Sequence, residues 1–237
     1  MKISELFFSL QGEGTYIGVP SIFIRTSGCN LKCYFCDTPY TSWWHESKSL
    51  EVEDIVTSVE NTWGRVNHVV ITGGEPMMQP AMAKLVKLLK ENNHFITIET
   101  NGTIFKEDVR PDLFSISPKT SNSVPDEKNC PNGVKFKEKF KTLHLKNNSL
   151  KNLYKYVNCG TDYQVKFVVA KREDLVEVCK IVEEYNIPKE HVYLMPEGIT
   201  KEDLTEKYQW VAGICKEHNF TFCPRLHIEI WGNQRGI

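Results

Sequence analysis

The chain has 237 residues, enough to bury a proper core as one large α/β domain or two small ones. Its 29 basic and 30 acidic side chains leave a net charge of -1, so neither nucleic acid nor an anionic membrane is a partner that bulk charge would capture, and a small or neutral ligand is the expectation. The opening "MKISELFFSLQGEG" has a short apolar run broken by Glu5 and no A-x-A-like cleavage site, and no later stretch has the length of a bilayer span. A cytosolic location follows as an expectation, and in a reducing compartment eight cysteines read as metal ligands or buried thiols rather than disulfides.

In chain order, "SIFIRT" (21–26) reads as a strand and leads into "RTSGCNLKCYFCDTPYT" (25–41), which places Cys29, Cys33 and Cys36 within eight positions. Val52, Ile55, Val56, Val59 and Trp63 then recur at helical spacing, predicting a helix with one buried stripe and Ser49 placed to cap it. "HVVIT" (68–72) predicts a strand, Met82, Leu85, Val86 and Leu89 one face of a helix, and "FITIET" (95–100) and "LFSIS" (113–117) two further strands. "YQVKFVVAK" (163–171) and "HVYLM" (191–195) continue the strand pattern, with helices marked by Leu175, Val178, Cys179 and Val182, and by Leu204, Tyr208, Val211 and Cys215. The final "FTFCPRLHIEIW" reads as a last strand in which Leu226, Ile228 and Ile230 alternate against His227, Glu229 and Trp231. Six or seven strands interleaved with helices predict an α/β fold with a mostly parallel sheet, whose sites lie at the carboxyl ends of the strands. The interval 119–143, rich in Lys, Asn, Ser and Pro, is the one irregular region; because the βα rhythm resumes after it, it reads as a mobile excursion within a single domain spanning 1–237.

Three closely spaced thiolates are one ligand short of a closed structural zinc site, and that shortage suits an iron-sulfur cubane that keeps one iron free. Two other readings stand beside it: a zinc site completed by His45 or a distant thiol, and a thioredoxin-like Cys33–Cys36 pair that leaves Cys29 unused. "TGGEP" (72–76) follows the next strand, where two glycines allow a ligand close to the backbone. Cys179 and Cys215 fall on apolar helix stripes, whereas Cys130, Cys159 and Cys223 lack ligand spacing. His68, His94, His144, His191 and His218 lie on turns or polar faces and are expected to be solvated.

The C-x3-C-x2-C loop with Phe35 before its last cysteine, in phase with "TGGEP", resembles the radical S-adenosylmethionine (SAM) enzymes. Over nearly the whole chain, "LFFSLQGEGTYIGVPSIFIRTSGCN", "CDT", "ETNGT" (99–103), "SISPK" (115–119) and "LHIEIWGNQRGI" resemble the 7-carboxy-7-deazaguanine synthase family. The resemblance implies an incomplete TIM-like βα barrel and a homodimer. It also implies a carbon-nitrogen lyase that converts 6-carboxy-5,6,7,8-tetrahydropterin to 7-carboxy-7-deazaguanine with loss of ammonia, in queuosine and deazapurine biosynthesis. Cofactors implied are a [4Fe-4S] cluster on Cys29, Cys33 and Cys36, SAM that is regenerated, and Mg2+ on Thr38. The implied course is hydrogen abstraction from substrate C6, ring contraction, return of the hydrogen atom and expulsion of ammonia. Leu10, Gln11, Gly12, Arg25, Thr100 and His227 match pterin contacts, with Arg25 as the clamp for its carboxylate. Phe35, Asp37, Gly73, Gly74, Glu75, Gly102, Ser117, Pro118, Lys119, Leu194, Met195, Pro196 and Glu197 match SAM contacts. The Lys-rich excursion is a solvated loop, a cover for the site, or the docking place of a flavodoxin-like or ferredoxin-like electron donor.

Two rival functions are weighed against this one. A radical SAM activase for a glycyl-radical enzyme would need an open face for a polypeptide loop, and "LQGEG", Arg25 and Thr38 suit a small anionic substrate better. A non-enzymatic zinc-binding module in nucleic-acid transactions sits poorly with near-neutral charge and βα architecture.

Overall fold

The computed structural model describes residues 1–131 and 134–237. Its strands are β1 (Lys2–Leu10), β2 (Pro20–Thr26), β3 (Lys48–Ser49), β4 (His68–Gly73), β5 (Phe95–Thr100), β6 (Leu113–Ile116), β7 (Asp162–Val169), β8 (Val192–Pro196) and β9 (Thr221–Phe222). They form one open sheet in the order β3-β1-β2-β4-β5-β6-β7-β8-β9. From β2 onward every neighbouring pair is parallel, while β1 runs antiparallel to both β2 and β3. The incomplete barrel expected from the sequence is therefore present, extended by an antiparallel edge.

The helices are α1 (Pro39–Ser42), α2 (Val52–Trp63), α3 (Met82–Glu91), α4 (Glu138–Asn147), α5 (Leu153–Asn158), α6 (Asp174–Glu184), α7 (Lys201–His218) and α8 (Leu226–Trp231). Strand side chains alternate between two faces. One set, including Ile22, Ile24, Val69, Ile71, Ile96, Ile98, Phe114, Ile116, Val165 and Phe167, forms a single buried cluster with Val52, Ile55 and Val59 of α2, Met82, Leu85 and Leu89 of α3, and Val178 and Ile181 of α6. The other set, including Phe23, Arg25, Thr72, Glu99, Ser115, Lys166, Val168 and Met195, lines a cavity. That residues of β2 and β8 share one cavity shows how far the sheet curls.

Four sequence-based expectations change. Ser49 lies in β3 rather than capping α2, whose N-cap is Glu51 without a side-chain hydrogen bond. The last predicted strand shrinks to β9, and "LHIEIW" forms α8; six residues of alternating apolar character suit either period. The excursion is not irregular throughout. It contains a 3-10 turn (Ser121–Ser123) and the start of α4, while residues 132–133 of it lie outside the described residues. Helix α4 was hidden because its exposed side carries lysines together with Leu143 and Leu145, which blurs the apolar stripe.

Finally, His68, His94 and His144 are buried, each with partners. His68 Nδ1 and Nε2 lie 2.8 Å from the hydroxyls of Ser21 and Thr97. His94 Nε2 lies 2.6 Å from Glu60 Oε1, and His144 contacts Lys32 N and Ser123 Oγ. Burial lowers His68 to about 4. A group depressed in the folded state supports folding fully above its unfolded pKa near 6.5, and that support is lost as pH falls towards 4. Between pH 7 and pH 5 the wild type should lose about 2 kcal/mol more stability than His68→Gln, read from urea midpoints at the two pH values.

Candidate active site

Beyond β2, the chain turns through the three-cysteine loop under constraints from several directions. Gly28 N donates to Thr41 O (2.8 Å), Lys32 N to His144 Nδ1 (3.1 Å) and Tyr34 N to Ser123 O (3.1 Å). Trp43 Nε1 donates to Cys33 O (3.2 Å), and the Lys32 ammonium bonds Ser42 O. Cys29, Cys33 and Cys36 all line the cavity, which has a volume of about 260 Å³. Cys36 Sγ lies 3.2 Å from Ser42 Oγ, and Cys29 Sγ accepts from Leu31 N at 3.4 Å.

Burial, with Glu75 adding to it, pushes the Cys29 thiol up to about 12; burial also raises Cys33 and Cys36. Three such thiols side by side call for a strongly cationic group to hold them as thiolates. Among the described residues no three His, Cys, Asp or Glu side chains converge on a point where one metal ion would sit, and His45 Nε2 instead meets Ser42 O at 3.0 Å. Three cysteine thiols within one loop, open on one cavity, are the kind of donor set an iron-sulfur cluster takes.

The second motif lies on the adjacent strand end. Gly73 has φ +131, a conformation that β-carbon-bearing residues rarely adopt. Gly74 donates from its backbone to Thr26 O (3.1 Å), and a β-carbon on it would collide with the Gly28 carbonyl. Gly74→Ala should therefore displace the cysteine loop itself: iron content after reconstitution should drop by more than half, with helical circular dichroism unchanged.

Glu75, expected as a cofactor contact, is not among the residues that line the cavity. Fully buried, its carboxylate accepts from Met77 N (3.0 Å), Thr100 Oγ1 (2.7 Å) and Asn101 N (2.7 Å), tying the β4 and β5 ends together. Leu194 is a core residue with 0% exposure, and Gly102 and Pro118 are buried behind the cavity wall. Phe35, Asp37, Thr38, Gly73, Gly74, Ser117, Lys119, Met195, Pro196 and Glu197 do line it, as do Leu10, Gln11, Gly12, Arg25, Thr100 and His227. Arg25 Nε donates to Glu5 Oε2 (2.7 Å), with its guanidinium 5.3 Å from the Phe7 ring. His227 packs flush against Gly12, where a β-carbon would collide with its ring, and burial lowers its pKa.

Sequence reasoning missed a buried charge network on the cavity wall. Lys166 Nζ donates to Glu13 Oε2 (2.9 Å) and approaches Glu99 Oε1 (3.5 Å). Arg225 Nε donates to Glu13 Oε1 (3.1 Å), while its two terminal nitrogens bond Asp37 Oδ2 and the Gly198 carbonyl. Burial alone would raise Glu13 and Asp37, but Lys166 and Arg225 outweigh it for Glu13, and Arg225 for Asp37, holding both carboxyls below the usual range. A signal existed: Glu99 and Lys166 interrupt strands that are otherwise nearly continuous apolar runs. Residues 233–237 complete the lining, with Arg235 held by Glu5 (3.0 Å), Glu46 (2.9 Å) and the Tyr40 ring (3.7 Å).

The model of the radical SAM superfamily matches residues 23–161. A 7-carboxy-7-deazaguanine synthase of Rhodopirellula baltica is 40% identical over 100% of this chain and 88% of its own, and one of Halobacterium salinarum 38% identical over 98% and 91%. The crystal structure of QueE from Escherichia coli shares the fold with a TM-score of 0.67 at 23% identity, covering 95% of this chain and 94% of that one. With three thiols open on one cavity, a glycine pair against them and full-length likeness to these enzymes, the chain belongs to the radical SAM superfamily and, within it, to the 7-carboxy-7-deazaguanine synthase family.

Proposed function

We propose that this chain, acting as one catalytic unit, converts 6-carboxy-5,6,7,8-tetrahydropterin to 7-carboxy-7-deazaguanine with release of ammonia. The observation that carries this reading is the meeting, in one cavity, of the three thiols with Arg25, Gln11, Gly12 and His227. When bound, a [4Fe-4S] cluster with SAM supplies a radical initiator that abstracts hydrogen.

Cys29, Cys33 and Cys36 hold the cluster. Gly73 and Gly74 at the β4 end, Ser117 and Lys119 after β6, Met195, Pro196 and Glu197 at the β8 end, and Phe35 with Asp37 form the wall for SAM. Lys119 Nζ, hydrogen-bonded to Ser117 Oγ at 2.6 Å, brings positive charge to that wall. On the facing side Arg25 clamps the substrate carboxylate, and Leu10, Gln11, Gly12, Thr100 and His227 orient the ring system. His227, kept neutral by burial, accepts or donates a hydrogen bond without adding charge. Thr38 is the hydroxyl ligand for Mg2+, which suits a hard ion that takes few protein ligands and works as Lewis acid and template. The barrel walls that line the cavity would limit the access of water to a radical. A cytoplasmic homodimer served by a flavodoxin-like or ferredoxin-like donor completes the reading. Among the described residues no helix is long and apolar enough to cross a membrane.

An activase would have to admit a polypeptide loop, and a cavity that presents Arg25, Gln11, Gly12 and His227 beside residues 233–237 suits a small anionic molecule better. Anaerobic reconstitution provides the test. The expected product is brown protein whose cluster absorption bleaches with dithionite and which, with SAM and Mg2+, forms 7-carboxy-7-deazaguanine from the carboxypterin. Irreversible SAM cleavage without this product, in the presence of the pterin, would overturn the assignment.

A further inference from the structure

The near-zero net charge conceals a strong asymmetry. Residues 128–155 carry eight lysines and a single carboxylate, Glu138, leaving 21 basic and 29 acidic side chains to the rest of the chain. Within it, α4 packs directly on the cysteine loop. The inner face of α4 presents Phe140, His144 and Asn147 at i, i+4 and i+7. Phe140 packs edge-on to Trp43 (5.1 Å), whose indole bonds the Cys33 carbonyl. His144 accepts from Lys32 N, and Asn147 Nδ2 donates to Asn30 O (2.8 Å).

One position earlier in each case, Lys139, Leu143 and Lys146 share the adjoining face, and all three are exposed, as are Lys135, Lys137 and Leu145. Leu143 exposes 39% of its surface between Lys139 and Lys146, while Leu145, 54% exposed, lies on the other side of the helix. Lysines flanking an exposed leucine, one helix away from the thiols, match a protein partner that is acidic and brings electrons. A phosphate backbone would match the lysines but gain nothing from the leucine.

We propose that the exposed face of α4 that carries Lys139, Leu143 and Lys146, with Lys137 at its start, docks a small, strongly acidic one-electron carrier protein. The inference rests on the radical SAM reading of the cavity, which requires an external reductant, and it adds where that reductant binds. The carrier gives up one electron and leaves oxidised by one electron.

The test compares the reconstituted wild type with Lys137→Glu/Lys139→Glu/Lys146→Glu, and with the triple glutamine variant in case charge reversal disturbs the helix. Binding of an acidic flavodoxin and of a plant-type ferredoxin is measured by calorimetry at low and high ionic strength. Product formation is measured once with reduced carrier and once with dithionite. Both variants should bind the better carrier roughly tenfold or more weakly and lose most of the salt dependence of binding, while dithionite-driven turnover stays at the wild-type rate. Unchanged carrier affinity in both variants would overturn the docking face, as would tight binding of an RNA duplex there with neither carrier bound. If instead the carrier data come out as expected but dithionite drives no pterin turnover in the wild type, the docking face stands and the substrate reading falls.

Discussion

Replacing Arg225 with methionine is expected to lower stability by about 3 kcal/mol and to cut turnover sharply, although Arg225 is no cluster ligand and reaches the proposed SAM wall only through Asp37. The side chain is 5% exposed and joins three segments: the loop holding Glu13, the Asp37–Thr38 turn after the last cysteine, and the β8–α7 connection at Gly198. Without it Glu13 keeps Lys166, but the Asp37 carboxylate loses the guanidinium that holds it. Because Asp37 is 38% exposed, water compensates part of the loss, which puts the cost at the low end of the range for breaking a buried pair, about 3–5 kcal/mol. For a chain of this size that corresponds to a melting temperature lower by roughly 6–12 °C. Arg225→Lys keeps the charge but reaches fewer acceptors at once, and should recover part of the stability. Coupling is the sharper test. Lys166 and Arg225 share Glu13, so the double variant with Lys166→Met should deviate from additivity by at least about 1 kcal/mol in urea unfolding. Additive losses, each below about 1 kcal/mol, would mean that the network is no more than a set of screened surface pairs.

How far the sequence could be read depends on what each segment packs against. "FITIET" coincides with β5, and the apolar runs of β4, β7 and β8 were equally plain, because parallel strands with helices on one side need continuous apolar character there. The cysteine loop and "TGGEP" were legible by chemistry, and the fold brings them together through the parallel pairing of β2 with β4, which sets Thr26 opposite Gly73. Glu99 and Lys166 stood out as charges within strands, but such a charge reads as solvent-facing unless the sheet is known to curl around a polar cavity, and Arg225, between β9 and α8, carried no signal of its own. Leu194 falls within a motif-like stretch yet points into the core, because alternation along a strand sends every second side chain to the other face, and the Glu75 carboxylate is taken up by Thr100 and Asn101. His68, His94 and His144 look solvated by local pattern, whereas their partners Ser21, Glu60 and Ser123 come from distant segments.

Arg25→Ala should separate substrate binding from everything else in the cavity. Arg25 pairs with Glu5 at 2.7 Å, which would ordinarily make its loss costly to the fold. Glu5, however, also accepts from Arg235 Nε (3.0 Å) and from the Tyr40 hydroxyl (2.9 Å), so its carboxylate stays satisfied when Arg25 is removed. The destabilisation should stay near 1 kcal/mol, and because none of the hydrogen bonds that shape the cysteine loop involves the Arg25 side chain, iron and sulfide content should match the wild type. Among the described residues the other cations that line the cavity are engaged elsewhere, Lys119 bonding Ser117 Oγ on the proposed SAM wall. Arg225 and Lys166 are committed to Glu13, Asp37 and Glu99, and Arg235 to Glu5 and Glu46. Leaving an anion unpaired in the cavity should cost about 3–4 kcal/mol, a fall of roughly 10²–10³-fold in kcat/KM for the carboxypterin. Arg25→Lys keeps the charge without the paired N–H groups and should lie between the two. Steady-state kinetics beside iron analysis and cluster absorption decide the matter: wild-type affinity for the pterin in Arg25→Ala would remove the clamp from this side chain, and a parallel loss of iron would make Arg25 a support of the cysteine loop instead.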